Sequence, residues 1–508
     1  MGAPLFEGYD DEGFYDEVVD GEGHIRPEYR RLVELIEELG PDELARREAL
    51  RDTSFRTKGI TFTVYGDEEG VERTFPMDLL PRLITASEWS EVERGLAQRV
   101  QALNRFLDDL YVGEQAAVRD GIVPRRLVVS SDGFRREAFG VRVPNGARCV
   151  VAGIDLIRDG QGTWRVLEDN VRNPSGVSYV LENRGVMTRV FPRLFGAHGV
   201  RSVEGYGASL LAALQALAPA PGGNPGVVVL TPGAFNSAYF EHAFAARQMG
   251  AELVEGRDLV VDDHVVYMRT TDGLERVDVI YRRIDDQFLD PMGFRSPSMI
   301  GVPGLLGAVR AGNVTLANAI GNGVADDKAV YAYVPELIRY YLGEEPILPN
   351  VETYLLWDAD QRAAVLDRLD EVVVKPVAEA GGYGVLIGPK ASDAELAEAR
   401  ASIEADPRNW IAQEVVQLSR HPVVDDDGRA AGRHIDLRPF VLTRGSEVDV
   451  LPGGLTRVAL RKGSLIVNSS QGGGSKDTWV LLPEADQPAP AGAGSPTATT
   501  ATTAGGDA

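Results

Sequence analysis

An alternation of strand, helix and strand between residues 226 and 261 constrains the possible folds of this chain most strongly. It consists of the apolar run GVVVLTP, the helical pattern SAYFEHAFAARQMG and the strand-like AELVEGRDLVV. Consecutive strands joined through a helix usually run parallel, so the pattern predicts a parallel βαβ unit. Its loop TPGAFN lies at the carboxyl end of the first strand, where α/β sheets usually bind ligands, which makes Asn236 a candidate substrate contact.

Helical periodicity dominates the N-terminal part of the chain. Apolar residues recur three and four positions apart in EYRRLVELIEELGPDELARREALRD and SEWSEVERGLAQRVQALNRFLDDLYVG, which predicts helices from about residue 27 to residue 110. Strand-like segments follow, from RRLVVSS to GTWRVLEDN, and a turn at residues 159–162 predicts a hairpin. Between about residues 321 and 482 helices and strands alternate again, which predicts a second α/β module.

The composition excludes several classes of partner. Of the 508 residues 44% are hydrophobic and 25% charged, and no apolar run approaches the ~20 residues of a membrane helix. We therefore expect two or three packed globular units and no membrane partner. A net charge of −24 opposes binding to nucleic acid, because that affinity depends largely on cationic contacts to phosphates.

Two features predict a cytoplasmic location. The acidic start of the sequence lacks the basic and apolar regions of a secretory signal. Cys149 is the only cysteine, which excludes an intrachain disulfide and fits a reducing compartment. Its position between Arg148 and Val150 favours packing in a core over chemistry.

The most specific local signal is a lysine at the end of an apolar strand, followed by a glycine-rich turn. Three valines precede Lys375, and Gly381, Gly382 and Gly384 follow shortly after it. Glycines let backbone N–H groups approach phosphate oxygens, and a lysine adds positive charge, so the pattern indicates a nucleotide site. A glycine-rich hairpin is also a common structural turn, and this one lacks the Lys-Ser/Thr of a P-loop. A second run, NSSQGGGSKD at residues 468–477, suits a phosphate loop or a linker.

Two further positions fit a nucleotide. Lys328 ends a loop rich in Gly, Asn and Asp, where it could lie near phosphate or pair with Asp327 at the start of a helix. Gln413 and Glu414 follow a predicted strand, where backbone groups and a carboxylate suit adenine and ribose. Alone, Glu414 fits an exposed acid equally well.

Oxygen ligands for a metal occur on the predicted hairpin. Asp155 and Glu168 lie on its two arms, and Asn170 is two residues beyond Glu168, hence on the same face of the strand. Mg²⁺ prefers such hard oxygen donors and takes its other ligands from water and phosphate. The hairpin therefore predicts a magnesium site, with an exposed acidic hairpin as the alternative.

Two arginines offer planar donors for a phosphate or a carboxylate. Arg438 lies in HIDLRPF, and Arg283 belongs to the pair Arg282 and Arg283. Each could equally form a structural ion pair, for which Asp285 and Asp436 are available nearby in the sequence.

In combination these segments resemble the circularly permuted ATP-grasp type 2 family, which is similar to the synthetase domain of glutathionylspermidine synthetase. The motifs that carry the resemblance occur in the order VLEDNVRNPSGVSYVLENR, TPGAFNSAYFEHAFAA, NGVADDKAVYAYVPELIRYYL, VVKPVAEAGGYGV, HIDLRPFVL and NSSQGGGSKDTWVL. In ordinary ATP-grasp chains the Glu-x-Asn metal strand follows the lysines. Here Glu168 and Asn170 precede Lys328 and Lys375, and that order is the permutation.

The resemblance implies an α/β (α+β) fold with a circularly permuted ATP-grasp module, a helical N-terminal region and a Rossmann-like βαβ substrate domain. The expected regions are a helical N-terminal region (1–125), a first part of the ATP-grasp module with the metal hairpin (126–200), the Rossmann-like domain (201–320), a second part of the module with the lysines and glycine-rich loop (321–483), and a tail (484–508). The Pro/Ala/Gly/Thr composition of that tail predicts disorder.

The resemblance also implies the ligands and the reaction. Mg²⁺ would bind Asp155, Glu168 and Asn170, and ATP would bind Lys328, Lys375, Gly381, Gly382, Gly384, Gln413 and Glu414. Transfer of the γ-phosphoryl group to a small-molecule or peptide carboxylate would give an acyl phosphate, which an amine attacks to form an amide. Arg438 and Arg283 would assist catalysis, with Asn173, Ser175 and Asn236 as weaker candidates for substrate contact. A non-catalytic ATP-binding regulatory or scaffold protein and a small-molecule phosphotransferase remain open.

Overall fold

A computed structural model describes residues 5–10, 12–63, 72–220, 222–378, 384–425, 428–459, 463–464, 467 and 473–487. Two of the predicted phosphate-binding glycines, Gly381 and Gly382, lie outside these described residues. The same holds for residues 468–472, the first half of the second glycine-rich run, and for the predicted tail from residue 488 onward.

The N-terminal region contains long helices, but it also contributes a strand to a sheet. Its elements are α1 (Arg30–Lys58), β1 (Thr61–Thr63), β2 (Glu72–Thr74), β3 (Met77–Ile84), α2 (Ala86–Tyr111), α3 (Ala116–Arg119) and α4 (Arg125–Val129). Helix α1 bends at Gly40, just before Pro41, and α2 begins with a capping box between Thr85 and Glu88.

Two predictions for this region were wrong. Strand β3 was not expected, because seven of its eight residues are buried and a strand buried on both faces has no alternating pattern. The segment RRLVVSS was predicted as a strand, yet its first part forms α4. Pro124 precedes this single turn, which buries Leu127 and Val128, so the proline and the packing override the β-propensity of the valines.

The predicted hairpin is confirmed. Strands β4 (Val151–Arg158) and β5 (Trp164–Asn170) pair antiparallel across the turn at 159–162. Asp159 stabilises this turn, since its carboxylate accepts the N–H groups of Gln161 and Thr163 at 2.9 and 3.0 Å. The helices that follow are α5 (Val177–Val190), α6 (Pro192–Ala197) and α7 (Tyr206–Gln215).

The predicted parallel unit is also present. Its elements are β6 (Val227–Leu230), α8 (Tyr239–Met249), β7 (Glu252–Val254), β8 (Leu259–Asp262), β9 (Val265–Thr270), β10 (Gly273–Arg276), β11 (Val279–Arg282), α9 (Asp286–Leu289), α10 (Leu305–Arg310) and β12 (Thr315–Ala317). Strands β12, β11, β6 and β7 form one sheet in that order, and all neighbours are parallel. Strands β8 to β10 do not extend it, because they form a separate antiparallel sheet. The Rossmann-like assignment of this region stays a prediction.

The second α/β module carries the strand with Lys375. Its elements are α11 (Gly323–Asp326), α12 (Lys328–Tyr331), α13 (Val334–Leu342), β13 (Thr353–Leu355), α14 (Ala359–Leu366), β14 (Val372–Pro376), β15 (Leu386–Ile387), α15 (Asp393–Ala405) and β16 (Trp410–Glu414). Strands β13, β16, β14 and β15 form an antiparallel sheet in that order. Lys375 and Gln413 therefore lie on neighbouring strands.

The C-terminal strands return to the first half of the chain. They are β17 (Arg420–Val424), β18 (Ala430–His434), β19 (Phe440–Arg444), β20 (Glu447–Val450), β21 (Thr456–Val458) and β22 (Gly474–Val480). Strand β19 pairs antiparallel with β4, with Phe440 opposite Gly153. One sheet thus contains the β4–β5 hairpin and a strand that follows β4 by almost 300 positions, as the predicted permutation requires.

The end of the second glycine-rich run is not a phosphate loop in this structure. Residues Ser475, Lys476 and Asp477 lie in β22, which is buried along its whole length and runs parallel to β3. Lys476 is paired with Asp78 and donates to the carbonyl oxygen of Pro422 at 2.8 Å. The sequence favoured a loop here because small polar residues and glycines are typical of exposed loops. It does not reveal that partners inside the protein satisfy the polar groups of this segment.

The segment before α1 places a charged side chain in the interior. Glu17 is 2% exposed, and both of its oxygens accept from the guanidinium group of Arg82, at 2.6 and 2.7 Å. Ser419 donates to the same carboxylate at 2.8 Å, and Arg158 lies 3.7 Å from it. Burial alone would raise the pKa of Glu17, but the two arginines outweigh it and lower the pKa to about 2.

Cys149 is buried and free, as its predicted role in core packing requires. Burial raises the pKa of this thiol far above its ordinary value, so the reactive thiolate is strongly disfavoured. None of the helices in the described ranges combines the length and the hydropathy that a membrane crossing requires.

Candidate nucleotide and metal site

The three candidate metal ligands lie on one face of the β4–β5 hairpin. Asp155 is directly opposite Glu168, and Asn170 is opposite Gly153, two positions further along. A β-bulge follows, so that Leu167 is the extra residue between Val166 and Glu168. The amide nitrogen of Asn170 lies 3.5 Å from a carboxylate oxygen of Asp155. The register thus brings together the three side chains that the sequence predicts.

Asp155 is held by two arginines from the C-terminal part of the chain. Arg438 contacts it in bidentate fashion, with Nε at 2.5 Å and Nη2 at 2.8 Å, and Nη2 of Arg457 lies at 2.7 Å. Burial would raise the pKa of Asp155, but the two guanidinium groups hold it at about 2. The carboxylate is therefore ionised, and its oxygens are largely occupied by hydrogen bonds.

Arg457 is a residue of this site that the sequence did not reveal. It lies in the buried strand β21 and joins Asp155 to Asp436, whose carboxylate oxygens it contacts at 2.5 to 3.0 Å. The prediction that Asp436 could pair with Arg438 is replaced by this contact. An arginine within the apolar run LTRVAL was the available signal, because a buried cation requires an anionic partner.

Both predicted phosphate lysines face the metal hairpin. Nζ of Lys328 lies 3.6 Å from Oε2 of Glu168, whereas Asp327 instead accepts from Arg408 at 2.7 Å. Lys375 donates to Oε1 of Gln413 at 2.6 Å. Burial lowers the pKa of Lys375 to about 8, and the neighbouring charge of Lys328 adds to this effect against the attraction of Glu168.

The candidate adenine residues lie on the neighbouring strand. Gln413 is buried and bridges Lys375 to Thr353, to which it donates at 3.0 Å. Glu414 ends β16 and is bound by Arg368 and by the hydroxyl of Tyr354, and these hydrogen bonds lower its pKa. It is thus neither a free nor a purely solvated acid.

Of the predicted phosphate glycines, Gly384 is described. Its φ of 68° lies in the left-handed region that favours glycine. A Cβ atom here would also lie 3.2 Å from the ring of Pro376, at the end of the strand that carries Lys375. A side chain at this position would therefore strain the turn after β14.

The substrate candidate Ser175 and the catalytic candidate Arg283 meet at a buried carboxylate. Glu241, on α8, accepts from Ser175 Oγ at 2.5 Å, from the N–H of Gly176 at 2.6 Å and from Arg283 at 3.1 Å. The carbonyl oxygen of Ser175 in turn accepts from Arg438 at 3.2 Å. Glu241 thus links the parallel sheet to the metal hairpin. The sequence offered one signal for it, a carboxylate inside a mostly apolar helix.

The remaining substrate candidates lie further from this network. Asn173 donates to Asp285 at 3.2 Å, while its buried amide oxygen has no hydrogen-bond partner within the described part of the chain. Asn236 lies in the exposed loop after β6 and caps the N–H of Ala238 at 2.9 Å. Among the described residues, no hydrogen bond links Asn236 to Glu241. Arg282 is fully buried and donates to backbone carbonyl groups, so it does not serve as a ligand contact.

The residues present fit a magnesium nucleotide. Glu168 and Asn170 are partly exposed oxygen donors, and the described residues contain no cluster of three or more His, Cys, Asp and Glu side chains that would indicate a metal held by protein alone. This matches Mg²⁺, which takes one or two carboxylates and completes its shell with phosphates and water. Two lysines beside the same face add the positive charge that nucleotide phosphates would require.

Comparison with known proteins identifies the family. The sequence profile described as circularly permuted ATP-grasp type 2 matches residues 81–459. An uncharacterised protein of Mycobacterium tuberculosis is 56% identical over 491 residues, which cover 95% of this chain and 88% of that protein. An uncharacterised protein of Synechocystis is 55% identical and matches over 94% of this chain and 98% of that protein.

Two further similarities differ in extent. A putative glutamate–cysteine ligase of Frankia alni is 50% identical over 94% of this chain, which spans only 54% of that protein. A solved glutathione synthetase-like effector of Globodera pallida shares the fold, with a TM-score of 0.54 and 11% identity, over 87% of this chain and 98% of that one. The profile match, the close relatives and the permuted order of the site elements together show that this chain belongs to the circularly permuted ATP-grasp type 2 family.

Proposed function

We propose that this protein is an ADP-forming ligase that uses Mg·ATP to join a carboxylate to an amine. The observation that carries the proposal is the convergence of Glu168, Asn170, Lys328, Lys375 and Arg438 from two distant parts of the chain. Positive and negative groups are arranged there as transfer of a phosphoryl group between two oxygens requires. The membership of an ATP-grasp family supports the same reading.

Each side chain has a defined task in this proposal. Glu168 and Asn170 would hold magnesium, which would neutralise charge at the phosphates when bound. Lys328 and Lys375 bind phosphate oxygens and fix the nucleotide against the hairpin. Arg438 orients Asp155 and offers its guanidinium group to the charge that develops during transfer.

The proposed reaction has two steps. A carboxylate oxygen of the acid attacks the γ-phosphorus of ATP, and the bond to the β-phosphate oxygen breaks, which gives ADP and an acyl phosphate. The amine then attacks the acyl carbon, phosphate leaves, and the nitrogen loses a proton to give the amide. Positioning and electrostatics supply the catalysis, because no covalent protein nucleophile is required.

The relatives suggest a class of substrate. The name of the Frankia alni protein describes a putative ligase that joins two amino acids, although this chain spans about half of that protein. We infer an amino acid or peptide carboxylate as the acid, with the buried pair of Arg283 and Glu241 beside its site. A cytoplasmic location suits an enzyme that consumes ATP and contains a free buried Cys149.

Product analysis tests the proposed function. With Mg·ATP and a panel of amino acids and amines, the natural chain is expected to release ADP and phosphate in equal amounts and to form an amide. Glu168→Gln removes a charge at the metal and should reduce this turnover by about 10²-fold or more. Glu398→Gln, an exposed carboxylate on α15, is the control and should retain full activity. Release of AMP and pyrophosphate, or binding of ATP without consumption across the panel, would contradict the proposal.

The protonation of Lys375 predicts a pH dependence of nucleotide binding. Its pKa is about 8 in the free protein, and a bound phosphate raises this value because it stabilises the ammonium form. Binding at pH 8 should therefore take up a fraction of a proton, and affinity should fall as pH rises through 8. Titration calorimetry in buffers of different ionisation enthalpy measures this uptake. An uptake unchanged in Lys375→Met would assign the proton to another group.

A further inference from the structure

The turn at residues 171–172, directly after β5, is held on both sides by side chains of residues 318–326. The carbonyl oxygen of Val171 accepts from the side-chain amides of Asn318 and Asn322, at 2.9 and 3.1 Å. The N–H groups of Val171 and Arg172 donate to one oxygen of Asp326, at 2.6 and 3.0 Å. The turn directly after β5 is thus fixed by side chains from residues 318–326.

The same segment carries one of the phosphate lysines. Asp326 is the last residue of α11, and Lys328 begins α12 two positions later. The turn that Asp326 holds begins at Val171, directly after Asn170. A single carboxylate therefore connects the strand of the metal ligands to the helix that presents Lys328, whose Nζ lies 3.6 Å from Glu168.

Packing fixes this connection from the opposite side. The backbones of Gly323 and Gly133 are in contact, and a Cβ atom on Gly133 would lie only 2.0 Å from the carbonyl carbon of Gly323. The second oxygen of Asp326 lies 3.3 Å from Nε of Arg172. Helix α11 thus cannot move independently, so its position is transmitted to both the metal strand and Lys328.

The burial of the carboxylate at position 326 disfavours its charged form. Burial raises its pKa to about 6, and the charge of Glu168 adds to this rise, despite Arg172 and two N–H donors that lower it. A neutral side-chain oxygen could accept the same N–H groups without the desolvation of a charge. The partners that this carboxylate holds are Arg172 and the two N–H groups of the turn after β5.

We propose that Asp326 is a positioning residue for the magnesium nucleotide, because it sets the placement of Glu168 and Asn170 relative to Lys328. It touches neither the metal nor the phosphates, and acts through the turn at residues 171–172. This inference rests on the proposed function. It assigns a role to a carboxylate that lies outside the three metal candidates.

Affinity for Mg·ATP, measured by calorimetry on the full chain, tests the proposal without requiring turnover. Asp326→Ala is expected to raise the Kd by about 10- to 100-fold, the usual effect of removing a group that orients metal ligands. It should also raise the Mg²⁺ concentration needed for half-maximal binding at fixed ATP. Asp326→Asn keeps an oxygen acceptor for the turn and should give a smaller increase.

Asp290→Ala is the matched control. Asp290 is also buried, and its carboxylate accepts the N–H groups of Met292, Gly304 and Leu306 at 2.8 to 3.1 Å, but it serves the loop before α10. Both alanine variants should lower the Tm, whereas only Asp326→Ala should weaken Mg·ATP binding beyond about threefold.

The outcomes separate this inference from the proposed function. In one outcome the natural chain binds Mg·ATP while the Kd changes equally in both alanine variants or in neither. Either result would overturn the positioning role alone. No binding of Mg·ATP by the natural chain would overturn the proposed function and this inference together. If Asp326→Ala does not fold, the asparagine variants replace the alanine variants. A higher Kd for Asp326→Asn than for Asp290→Asn supports the positioning role, and equal Kd values overturn it.

Discussion

Replacement of Lys375 by methionine is expected to reduce ATP turnover by about 10²- to 10³-fold, because it removes a positive charge from the phosphate site. The same change should alter the Tm of the free protein little, because the lost hydrogen bond to the buried Gln413 offsets the removal of an unfavourable charge. In the folded chain the pKa of Lys375 falls from 10.5 to about 8, so the charged lysine is disfavoured by folding at neutral pH. Methionine retains most of the side-chain volume and removes that charge.

Assays of turnover and thermal unfolding with and without Mg·ATP measure the two effects separately. Lys390→Met is the control, since Lys390 lies on the same module but contacts the carbonyl oxygen of Gly463 instead of the hairpin. It should retain both activity and the rise in Tm caused by the nucleotide. Equal rises in Tm with Mg·ATP in the natural chain and in Lys375→Met would show that this lysine does not bind phosphate.

Replacement of Arg82 by methionine is expected to lower the free energy of unfolding by about 3–5 kcal/mol. The change removes both short contacts to the buried carboxylate of Glu17. Ser419 and the more distant Arg158 still contact this carboxylate, but breaking a buried ion pair is strongly destabilising. Chemical denaturation measures the loss. Arg119→Met is the control, because this arginine pairs with exposed carboxylates and should not change stability measurably.

Acid unfolding gives an independent check on the same pair. The pKa of Glu17 is lowered from 4.5 to about 2 on folding, so its stabilising contribution is complete above pH 4.5 and is lost as the pH falls toward 2. The difference in stability between the natural chain and Glu17→Gln should therefore shrink over this interval. A difference that stays constant down to pH 2 would contradict the assigned pKa.

Much of the fold could be predicted from local patterns. The hairpin of β4 and β5, the parallel strands β6 and β7 and the helix α2 all have the periodicity or turn residues of their element. The predictions failed where burial removed the pattern. Strand β3 and the buried strand β22, which contains Lys476, show no alternation of polar and apolar residues that marks an exposed face.

The candidate site, too, could be predicted only in part. Spacing placed Glu168 and Asn170 on one strand face, and the apolar strand before Lys375 indicated its position. Spacing did not indicate that Asp155 is held by Arg438 and Arg457, or that Lys328 pairs with Glu168.

The order of residues alone determined elements such as β4, β5 and α2, the permuted succession of the motifs and the residue types proposed for magnesium and phosphate. These depend on periodicity and turn chemistry over a few neighbouring positions. Only the packing of the folded chain decided which buried charges meet, such as Glu17 with Arg82, Glu241 with Arg283 and Asp326 with the turn after β5. A buried charge is stable wherever it finds a partner, and a sequence does not specify that partner when it lies many positions away.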